Sequence, residues 1–174
     1  MRALLERTRP TKTGGYEPSP VLPAFAGFLR GFVDLTFRAG GRYFVSDYKT
    51  NQVLGNERVR EANRSWGHPP GWEEDLPPKL RRWHYSRSML AWSMDHSAYH
   101  LQALVYTVAV HRMLKRRLPD YDYDTHFGGH LYLYVRGMEG DATPSVDGAC
   151  LGVWTDRWPK ATVEGLSAAF GGES

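Results

Sequence analysis

The residues of this chain whose types and spacing could support hydrolytic chemistry are two aspartates and a lysine, Asp34, Asp47 and Lys49. Carboxylates that face each other repel unless a cation or a proton lies between them. Mg²⁺ prefers oxygen ligands and retains several waters, so two aspartates and a main-chain carbonyl, here that of Tyr48, are enough protein to bind it. The metal would polarise a phosphate and activate a bound water, while Lys49 would orient that water or offset developing negative charge. The predicted reaction is phosphodiester hydrolysis.

A β-hairpin is the element expected to position these side chains. Residues 28–38 and 42–49 are rich in aromatic and β-branched residues, and Gly40 and Gly41 lie between them. Two glycines favour a two-residue turn, which pairs the residues on either side of it directly. The sequence therefore predicts an antiparallel pair of strands joined by a Gly-Gly turn.

The Gly-Gly turn would place Asp34 directly opposite Asp47, with the two side chains roughly 5 Å apart on one face of the sheet. Lys49, two residues beyond Asp47, projects from that face too. A three-residue turn through Ala39 would shift the register by one and separate the aspartates, so the site depends on the Gly-Gly turn or on a compensating bulge. Taken alone, Asp-x-Lys favours a simple salt bridge between Lys49 and one aspartate.

A long helix is predicted over residues 99–118, where Pro119 ends it. Gln102 and Tyr106 are four residues apart and share one face of this helix. They either support the site or satisfy each other's hydrogen bonds. The apolar residues predicted to face the core form a different stripe: Leu101, Leu104, Val105, Val108 and Ala109.

Further strands are predicted at residues 130–136 and 149–154, after a turn-like stretch at residues 120–129. A last helix would be capped by Asp156 and carry Pro159 in its first turn. These elements predict one α/β domain over residues 1–174, a central mixed sheet with flanking helices. The apolar face of the last helix is predicted to consist of Val163, Leu166 and Phe170.

Two stretches are expected to lie outside the core. Residues 1–9 would form a short helix, and the prolines and glycines that follow argue against a regular element up to residue 24. Residues 55–80 have the composition of a long surface loop, so about 52–84 is predicted to be an insertion. Its tryptophans either stack on unpaired bases or pack beneath the loop: Trp66, Trp72 and Trp83.

Composition indicates a folded, soluble protein, with 174 residues of which 41% are hydrophobic. Cys150 is the one cysteine, so an internal disulfide is excluded, a reducing cytoplasm suits the chain, and a buried, inert thiol is expected. No stretch is apolar and long enough for a signal peptide or a membrane span, so no membrane partner is expected.

The formal net charge is +3 and the isoelectric point is near 9.0, which permits a nucleic-acid partner without requiring one. His126 and His130 are four residues apart, but the glycines between them argue against a helical zinc pair, and both are expected in a loop or at a strand edge. Three basic clusters would either contact phosphates or line solvated helix faces: Arg58, Arg60 and Arg64; Lys79, Arg81 and Arg82; and Arg112, Lys115, Arg116 and Arg117.

The hairpin and the long helix closely resemble the C-terminal nuclease domain of the RecB family, the exonuclease V beta subunit, within the PD-(D/E)xK nuclease superfamily. Gln102 and Tyr106 fit the family's Gln-x-x-x-Tyr motif. The matching segments are residues 31–38, 41–51, 99–112, 120–124 and 127–129.

The resemblance implies a restriction-endonuclease-like core, metal ligation by Asp34 and Asp47, a catalytic role for Lys49, and a supporting or DNA-contacting role for Gln102 and Tyr106. It also implies Mg²⁺, with Mn²⁺ as a substitute, and DNA as the substrate. The setting implied is DNA end processing and recombinational repair in the bacterial cytoplasm, beside a helicase and other subunits of a RecBCD-like complex.

The chain departs from this family in two respects. The family's further ligand, an acidic or histidine residue upstream of the first strand, has only Glu6 as a candidate here. Residues 52–84 look longer than the corresponding loop, and the helicase motor of the full subunit is not expected in this chain. A catalytically degenerate nuclease fold that binds DNA or a partner without cutting is therefore the main alternative, and a metal-binding regulator unrelated to DNA is the third.

Overall fold

The computed structural model describes residues 9–10, 16–17, 31–53, 82–146 and 148–170 of the chain. The strands are β1 Arg9–Pro10, β2 Tyr16–Glu17, β3 Leu35–Ala39, β4 Arg42–Lys49, β5 Phe127–Tyr134, β6 Ser145–Val146, β7 Ala149–Cys150 and β8 Val153–Asp156. The helices are α1 Arg87–His96, α2 Tyr99–Arg117, α3 Tyr123–His126 and α4 Lys160–Ala169, with 3-10 helices at Arg82–Tyr85 and Val135–Gly137.

The main sheet has four strands in the order β3-β4-β5-β8, and β1-β2 and β6-β7 form two minimal sheets of their own. A mixed sheet accompanied by helices confirms the predicted α/β fold. The described residues divide into two compact units. The first comprises the described parts of Met1–Asp47, Met94–Tyr132 and Thr155–Ser174, and the second those of Tyr48–Ser93 and Leu133–Trp154.

The core of the first unit lies where α2 and α4 pack against the sheet. Val45 of β4 is 2% exposed and Leu104 of α2 is fully buried, and each such side chain contributes about 1.5–3 kcal/mol on leaving water. The same apolar cluster therefore fixes the hairpin, α2 and α4 together. Its members are Val45, Leu104, Val108, Val110, Leu114, Tyr123, Phe127, Trp158, Val163 and Leu166.

The second unit is centred on buried aromatic side chains. The Gly152 N–H donates to the Tyr85 carbonyl over 2.8 Å, and the Tyr134 N–H donates to the Gly152 carbonyl over 2.7 Å. A Cβ at Gly137 would lie 2.5 Å from Cβ of Tyr85, so glycine is required for this approach. The Arg87 guanidinium lies 4.4 Å from the centre of the Trp154 ring, a cation–π contact.

Helix α2 confirms the predicted element, since it begins at Tyr99 and ends one residue before Leu118. Its buried face differs from the predicted stripe, because Ala109 is exposed whereas Thr107 and His111 are buried. The last turn carries Lys115, Arg116 and Arg117, which favourably oppose the negative end of the helix dipole. The buried residues of α2 are His100, Ala103, Leu104, Thr107, Val108, Val110, His111 and Leu114.

Several predicted strands have different bounds in the structure. β3 begins at Leu35, so the predicted strand at residues 28–38 is shorter at its start. β5 begins at Phe127 and ends at Tyr134. The single run predicted at residues 149–154 is two strands, since Gly152 adopts φ 76° and interrupts it. Arg9–Pro10 pairs with Tyr16–Glu17, a regular element that the prolines were expected to prevent, because proline is tolerated at the end of a short strand.

The glycines of β5 interrupt the regular alternation of buried and partly buried residues along this strand. Phe127 and His130 are three residues apart and both are buried, although strict alternation would place them on opposite faces. Gly129 has φ 140°, and a Cβ there would lie 2.6 Å from the Asp156 carbonyl oxygen. This irregular glycine resets the alternation as a bulge does. A Cβ on Gly128 would overlap the ring of Phe44.

Three helical features differ from the sequence-based prediction. Helix α1, Arg87–His96, was not predicted, and α3 occupies part of the predicted turn at residues 120–129. The cap of α4 is Pro159, whereas the Asp156 side chain accepts from the Arg157 N–H over 2.7 Å. Val163 and Leu166 of α4 are buried as expected, but Phe170 is 46% exposed because it lies beyond the last residue of the helix.

Cys150 is exposed, so the prediction of a buried thiol is wrong: its strand β7 pairs with β6 at the surface, where the Cys150 sulfur lies 3.4 Å from the Ser145 hydroxyl. Within the part of the chain that the structure describes, no helix is long and apolar enough to cross a membrane. The predicted helix at residues 1–9 and the predicted loop at residues 55–80 lie outside the described residues, apart from Arg9.

Candidate active site

The hairpin turn has the form that the sequence predicts. Gly40 and Gly41 adopt φ 53° and 79°, as both central residues of a type I′ turn do, and Ala39 pairs with Arg42. The ladder continues in this register to the pair of Leu35 and Ser46. Continued by one position, the same register sets Asp34 across from Asp47. The ladder ends at Leu35, so Asp34 lies immediately before β3 rather than within it.

Ring contacts across the hairpin show which side chains share a face. The rings of Phe37 and Phe44 stack with centroids 5.3 Å apart. On the other face, the Arg38 guanidinium lies 5.6 Å from the centre of the Tyr43 ring. Because side chains alternate along a strand, Asp47 projects from the same face as Tyr43 and Val45. That is the face covered by α2, since Val45 belongs to the apolar cluster of Leu104 and Val108.

The two predicted metal-binding carboxylates lie in different environments. Asp47 is 5% exposed, whereas Asp34 is exposed at the end of the hairpin. Taking a carboxylate out of water is costly unless hydrogen bonds or a cation compensate for it. The buried member of the pair is therefore the one for which cationic compensation matters most.

Lys49 is the last residue of β4 and is half-buried. It follows Asp47 by two positions in one strand, so strand alternation projects both side chains from the same side of β4. Tyr48 stands between them, 46% exposed, and contributes its main-chain carbonyl to the predicted ligand set. Asp34 and Asp47 belong to the first unit, while Tyr48 and Lys49 belong to the second. Convergence of the three charged groups on one metal ion stays a prediction.

Gln102 and Tyr106 contact each other on α2. The Gln102 amide nitrogen lies 3.0 Å from the Tyr106 hydroxyl, which matches the alternative that the two polar residues satisfy each other. A third residue completes the group: the Tyr132 hydroxyl of β5 donates to Gln102 Oε1 over 3.0 Å. The sequence pointed to Gln102 and Tyr106 through their spacing, but it held no signal for Tyr132, which is 30 residues further along the chain.

Tyr106 also connects α2 to the segment that leads into Asp34. A Cβ on Gly31 would lie 3.1 Å from Cε1 and 3.7 Å from the hydroxyl of Tyr106, so only the small glycine allows this approach without adjustment. Val33 and Tyr106 both pack against the apolar cluster. The chain immediately before Asp34 is therefore held against α2.

The histidines have structural roles in the described residues. His130 is 1% exposed, so its predicted placement in a loop or at a strand edge is wrong: it lies inside β5 with its ring stacked on Trp158, centroids 6.3 Å apart. Burial, together with a smaller effect of nearby His100, lowers the pKa of His130 to about 3. His130 is therefore neutral near pH 7. The His126 ring nitrogen is hydrogen-bonded to the main chain of Asp122.

The donor set of the candidate site fits a hard cation. Among the described residues, no group of three or more histidine, cysteine, aspartate or glutamate side chains is arranged to hold a metal ion. Two aspartates and a carbonyl form a smaller, all-oxygen set. Such a set suits Mg²⁺ or Mn²⁺, which retain waters and accept substrate oxygens, better than zinc, which prefers nitrogen and sulfur ligands.

Other residues that the sequence singled out lie outside the described part of the chain. Among them is the upstream ligand candidate Glu6. The side chains of the three tryptophans and of all six residues of the first two basic clusters belong to this group as well: Trp66, Trp72, Trp83, Arg58, Arg60, Arg64, Lys79, Arg81 and Arg82.

The chain is similar in sequence to RecBCD enzyme subunit RecB of several bacteria. No family model matches the chain. It is 38% identical over 149 residues to the RecBCD enzyme subunit RecB of Mycolicibacterium smegmatis, covering 85% of this chain and 12% of that subunit. It is 40% identical over 148 residues to RecB of Mycobacterium tuberculosis, covering 81% of this chain and 11% of that subunit. It is 37% identical over 113 residues to RecB of Escherichia coli, covering 65% of this chain and 8% of that subunit. The chain spans about a tenth of the length of the curated relatives it matches.

Proposed function

We propose that this chain, which belongs to the RecB family, is a Mg²⁺-dependent nuclease domain that hydrolyses the phosphodiester bonds of DNA. The observation that carries the proposal is the hairpin register. The Gly-Gly turn and the ladder that follows it pair Leu35 with Ser46, and one further step in this register would set Asp34 across from Asp47. Facing carboxylates are unfavourable in a sheet unless a cation lies with them.

Asp34, Asp47 and the carbonyl of Tyr48 are the groups proposed to hold Mg²⁺, with Mn²⁺ as a substitute. When bound, such an ion would polarise the scissile phosphate and acidify a water molecule. Asp47, on the buried face of β4, provides a carboxylate whose position the core restrains. Asp34 provides an exposed carboxylate where the hairpin opens to solvent. The pair thus combines a fixed ligand with an accessible one.

Lys49 is proposed to orient the attacking water or to offset the negative charge that develops on the phosphate. Its half-buried position leaves part of the side chain accessible to a substrate. An ammonium group on a flexible stem can follow a phosphate oxygen as the bond breaks. Gln102 and Tyr106 are proposed to support the site rather than to react, because they are hydrogen-bonded to each other and Tyr106 packs on the segment before Asp34.

The biological setting proposed for this activity is DNA end processing in recombinational repair, in the bacterial cytoplasm. The partners proposed are DNA, a helicase and the other subunits of a RecBCD-like complex. Homology to RecB supports this assignment, as does a sequence isoelectric point near 9.0, in the range of nucleic-acid-binding domains.

The direct test is cleavage of linear single-stranded and double-stranded DNA in the presence of Mg²⁺. Wild type is expected to degrade the DNA, chelation of the metal is expected to stop the reaction, and Asp47→Ala and Lys49→Ala are expected to be inactive. Glu164→Ala, an exposed position on α4, serves as the control variant and is expected to retain cleavage. Catalysis is excluded if wild type and the two site variants are equally inert.

The same samples distinguish the alternative, a degenerate nuclease fold. Metal-independent DNA binding without cleavage would support that alternative, whose motivation is that the family's upstream ligand has only Glu6 as a candidate. Uptake of Mg²⁺ without salt-dependent affinity for DNA would instead support a metal-binding regulator.

A further inference from the structure

The link between β5 and the segment before Asp34 points to a residue that neither the motif nor the relatives single out. Tyr132 is 1% exposed, and its hydroxyl has two acceptors on α2. It lies 3.0 Å from Gln102 Oε1 and 3.2 Å from the Tyr99 carbonyl oxygen. The rings of Tyr99 and Tyr132 are also in contact, with centroids 5.6 Å apart. Tyr132 therefore ties the first turn of α2 to the sheet.

From Tyr132 the contacts lead along α2 to the segment before Asp34. Gln102 reaches the Tyr106 hydroxyl over 3.0 Å, and the Tyr106 ring lies against Gly31, three residues before Asp34. Each of the three polar side chains contacts the next, and the last one contacts main chain. Hydrogen bonds in such a chain strengthen one another in a buried setting, and the loss of one member alters the placement of the rest.

We propose that Tyr132 is a positioning residue of the site, which acts through Gln102 and Tyr106 to hold the segment bearing Asp34. This inference rests on the proposed function for its effect on catalysis. Tyr132 itself is buried and bonds to Gln102, so the role proposed for it is indirect and involves no bond to metal or DNA. It determines where Asp34 is held, in the way that outer residues around a metal site orient the residues that bind the ion.

Tyr132→Phe is the informative variant, because it removes the hydroxyl and keeps the ring. The matched control is Tyr134→Phe, two residues further along β5, where the hydroxyl is also buried and donates to the Ser93 hydroxyl over 3.1 Å. Both variants remove one hydrogen bond from a tyrosine hydroxyl to a side chain. A merely structural role for the Tyr132 hydroxyl predicts that they behave alike.

Hydrogen–deuterium exchange tests the positioning without relying on activity. The amides of residues 31–34 are expected to exchange faster in Tyr132→Phe than in wild type, and at the wild-type rate in Tyr134→Phe. If exchange in this segment is the same in both variants, the inference is overturned. An inert wild type on DNA would overturn the proposed function, and the exchange result would then decide the positioning role on its own.

Kinetics give the second readout. Tyr132→Phe is expected to lower kcat for DNA cleavage on the order of tenfold with KM unchanged, since the loss affects the geometry of the site rather than substrate binding. In a Gln102→Leu background, Tyr132→Phe is expected to add no further loss, because the hydroxyl no longer has the residue through which it acts. Additive losses in the double variant would overturn the proposed route through Gln102.

Discussion

Two pairs of aspartates in the first unit, Asp122 with Asp124 and Asp34 with Asp47, lie in different surroundings. Asp122 and Asp124 lie at the short helix α3, where neighbouring groups already occupy their oxygens. Asp122 accepts from the Thr125 N–H over 3.0 Å and from Lys160 Nζ over 2.7 Å. Its hydrogen bond to Lys160 is the main reason that the pKa of Asp122 falls to about 2. Asp34 and Asp47 are instead predicted to meet by an extension of the hairpin register, and Asp47 is buried.

The comparison separates a structural pair of carboxylates from a candidate functional pair. Asp122 caps the helix that begins at the next residue and bonds to Lys160, and Asp124 pairs with Arg157 over 2.8 Å, so both residues join α3 to the chain around the start of α4. Neighbouring protein groups therefore compensate both of these carboxylates. Of the hairpin pair, Asp47 is held within β4, and Asp34 follows the segment that α2 contacts, which is the support expected for a ligand position. Acidic residues near each other in sequence are thus poor evidence for a metal site by themselves.

The largest expected difference between the pairs is in catalysis. Asp47→Asn is expected to lower the rate of DNA cleavage on the order of a thousandfold, equivalent to about 4 kcal/mol of transition-state stabilisation, because the proposed metal loses a charged ligand. Asp122→Asn, the matched change in the other pair, is expected to cleave at the wild-type rate. Initial rates at saturating Mg²⁺ measure both. Equal losses of cleavage rate in the two variants would contradict a catalytic role for Asp47 that Asp122 lacks.

Acid is expected to destabilise the protein before Asp122 titrates. In the folded protein the pKa of His130 is about 3, compared with an ordinary value of 6.5. The contribution of uncharged His130 to the free energy of unfolding is fully present above pH 6.5, and it is lost as the pH falls from 6.5 towards 3. The expected loss at pH 5 is about 2 kcal/mol relative to pH 7.5.

Urea unfolding at the two pH values measures the effect of His130. His130→Gln is expected to make stability less dependent on pH in this range, whereas His96→Gln, at an exposed position, is expected to leave the dependence unchanged. An unchanged pH dependence in His130→Gln would show that this buried histidine is not the group responsible.

The Gly-Gly turn is expected to matter to both stability and the hairpin pair. Gly41→Ala is expected to cost about 1–2 kcal/mol, because an L residue is strained at its φ of 79°. It is also expected to lower cleavage, since the turn sets the register of the two aspartates. Gly148→Ala is the control: Gly148 has φ 77°, and its Cβ position is equally open.

Chemical denaturation and cleavage assays on both glycine variants separate the two effects. Both are expected to lose similar stability, and only Gly41→Ala is expected to lose activity as well. Full activity in Gly41→Ala would indicate that the facing of the aspartates does not depend on this turn.

The smallest expected effect belongs to the structural pair. Asp122→Ala is expected to lower the melting temperature by a few degrees at pH 7, because α3 loses its cap and Lys160 loses its partner. Since the folded pKa of Asp122 is depressed, its contribution is present above about pH 4 and is lost as the pH falls through 2. Calorimetric scans at pH 7 and at pH 2 check this, and the difference between variant and wild type should narrow in acid.

Prediction from sequence succeeded where the signal is local. The hairpin register follows from two adjacent glycines that both adopt positive φ, and the bounds of α2 follow from apolar spacing and Pro119. It failed where signals were weak or cancelled. Helix α1 was missed, and it has no acidic residue in its first turn, so one usual mark of a helix start is absent.

The amino-acid order alone determined the turn, the pairing that follows it and the length of α2, because each depends on residues at most a few positions apart. Only the tertiary structure decided that Asp47 faces the core, that His130 is buried against Trp158, and that Tyr132 reaches Gln102. Those relationships join residues tens of positions apart, and which of many polar or aromatic side chains meet is set by how helices and sheet pack together rather than by any local preference.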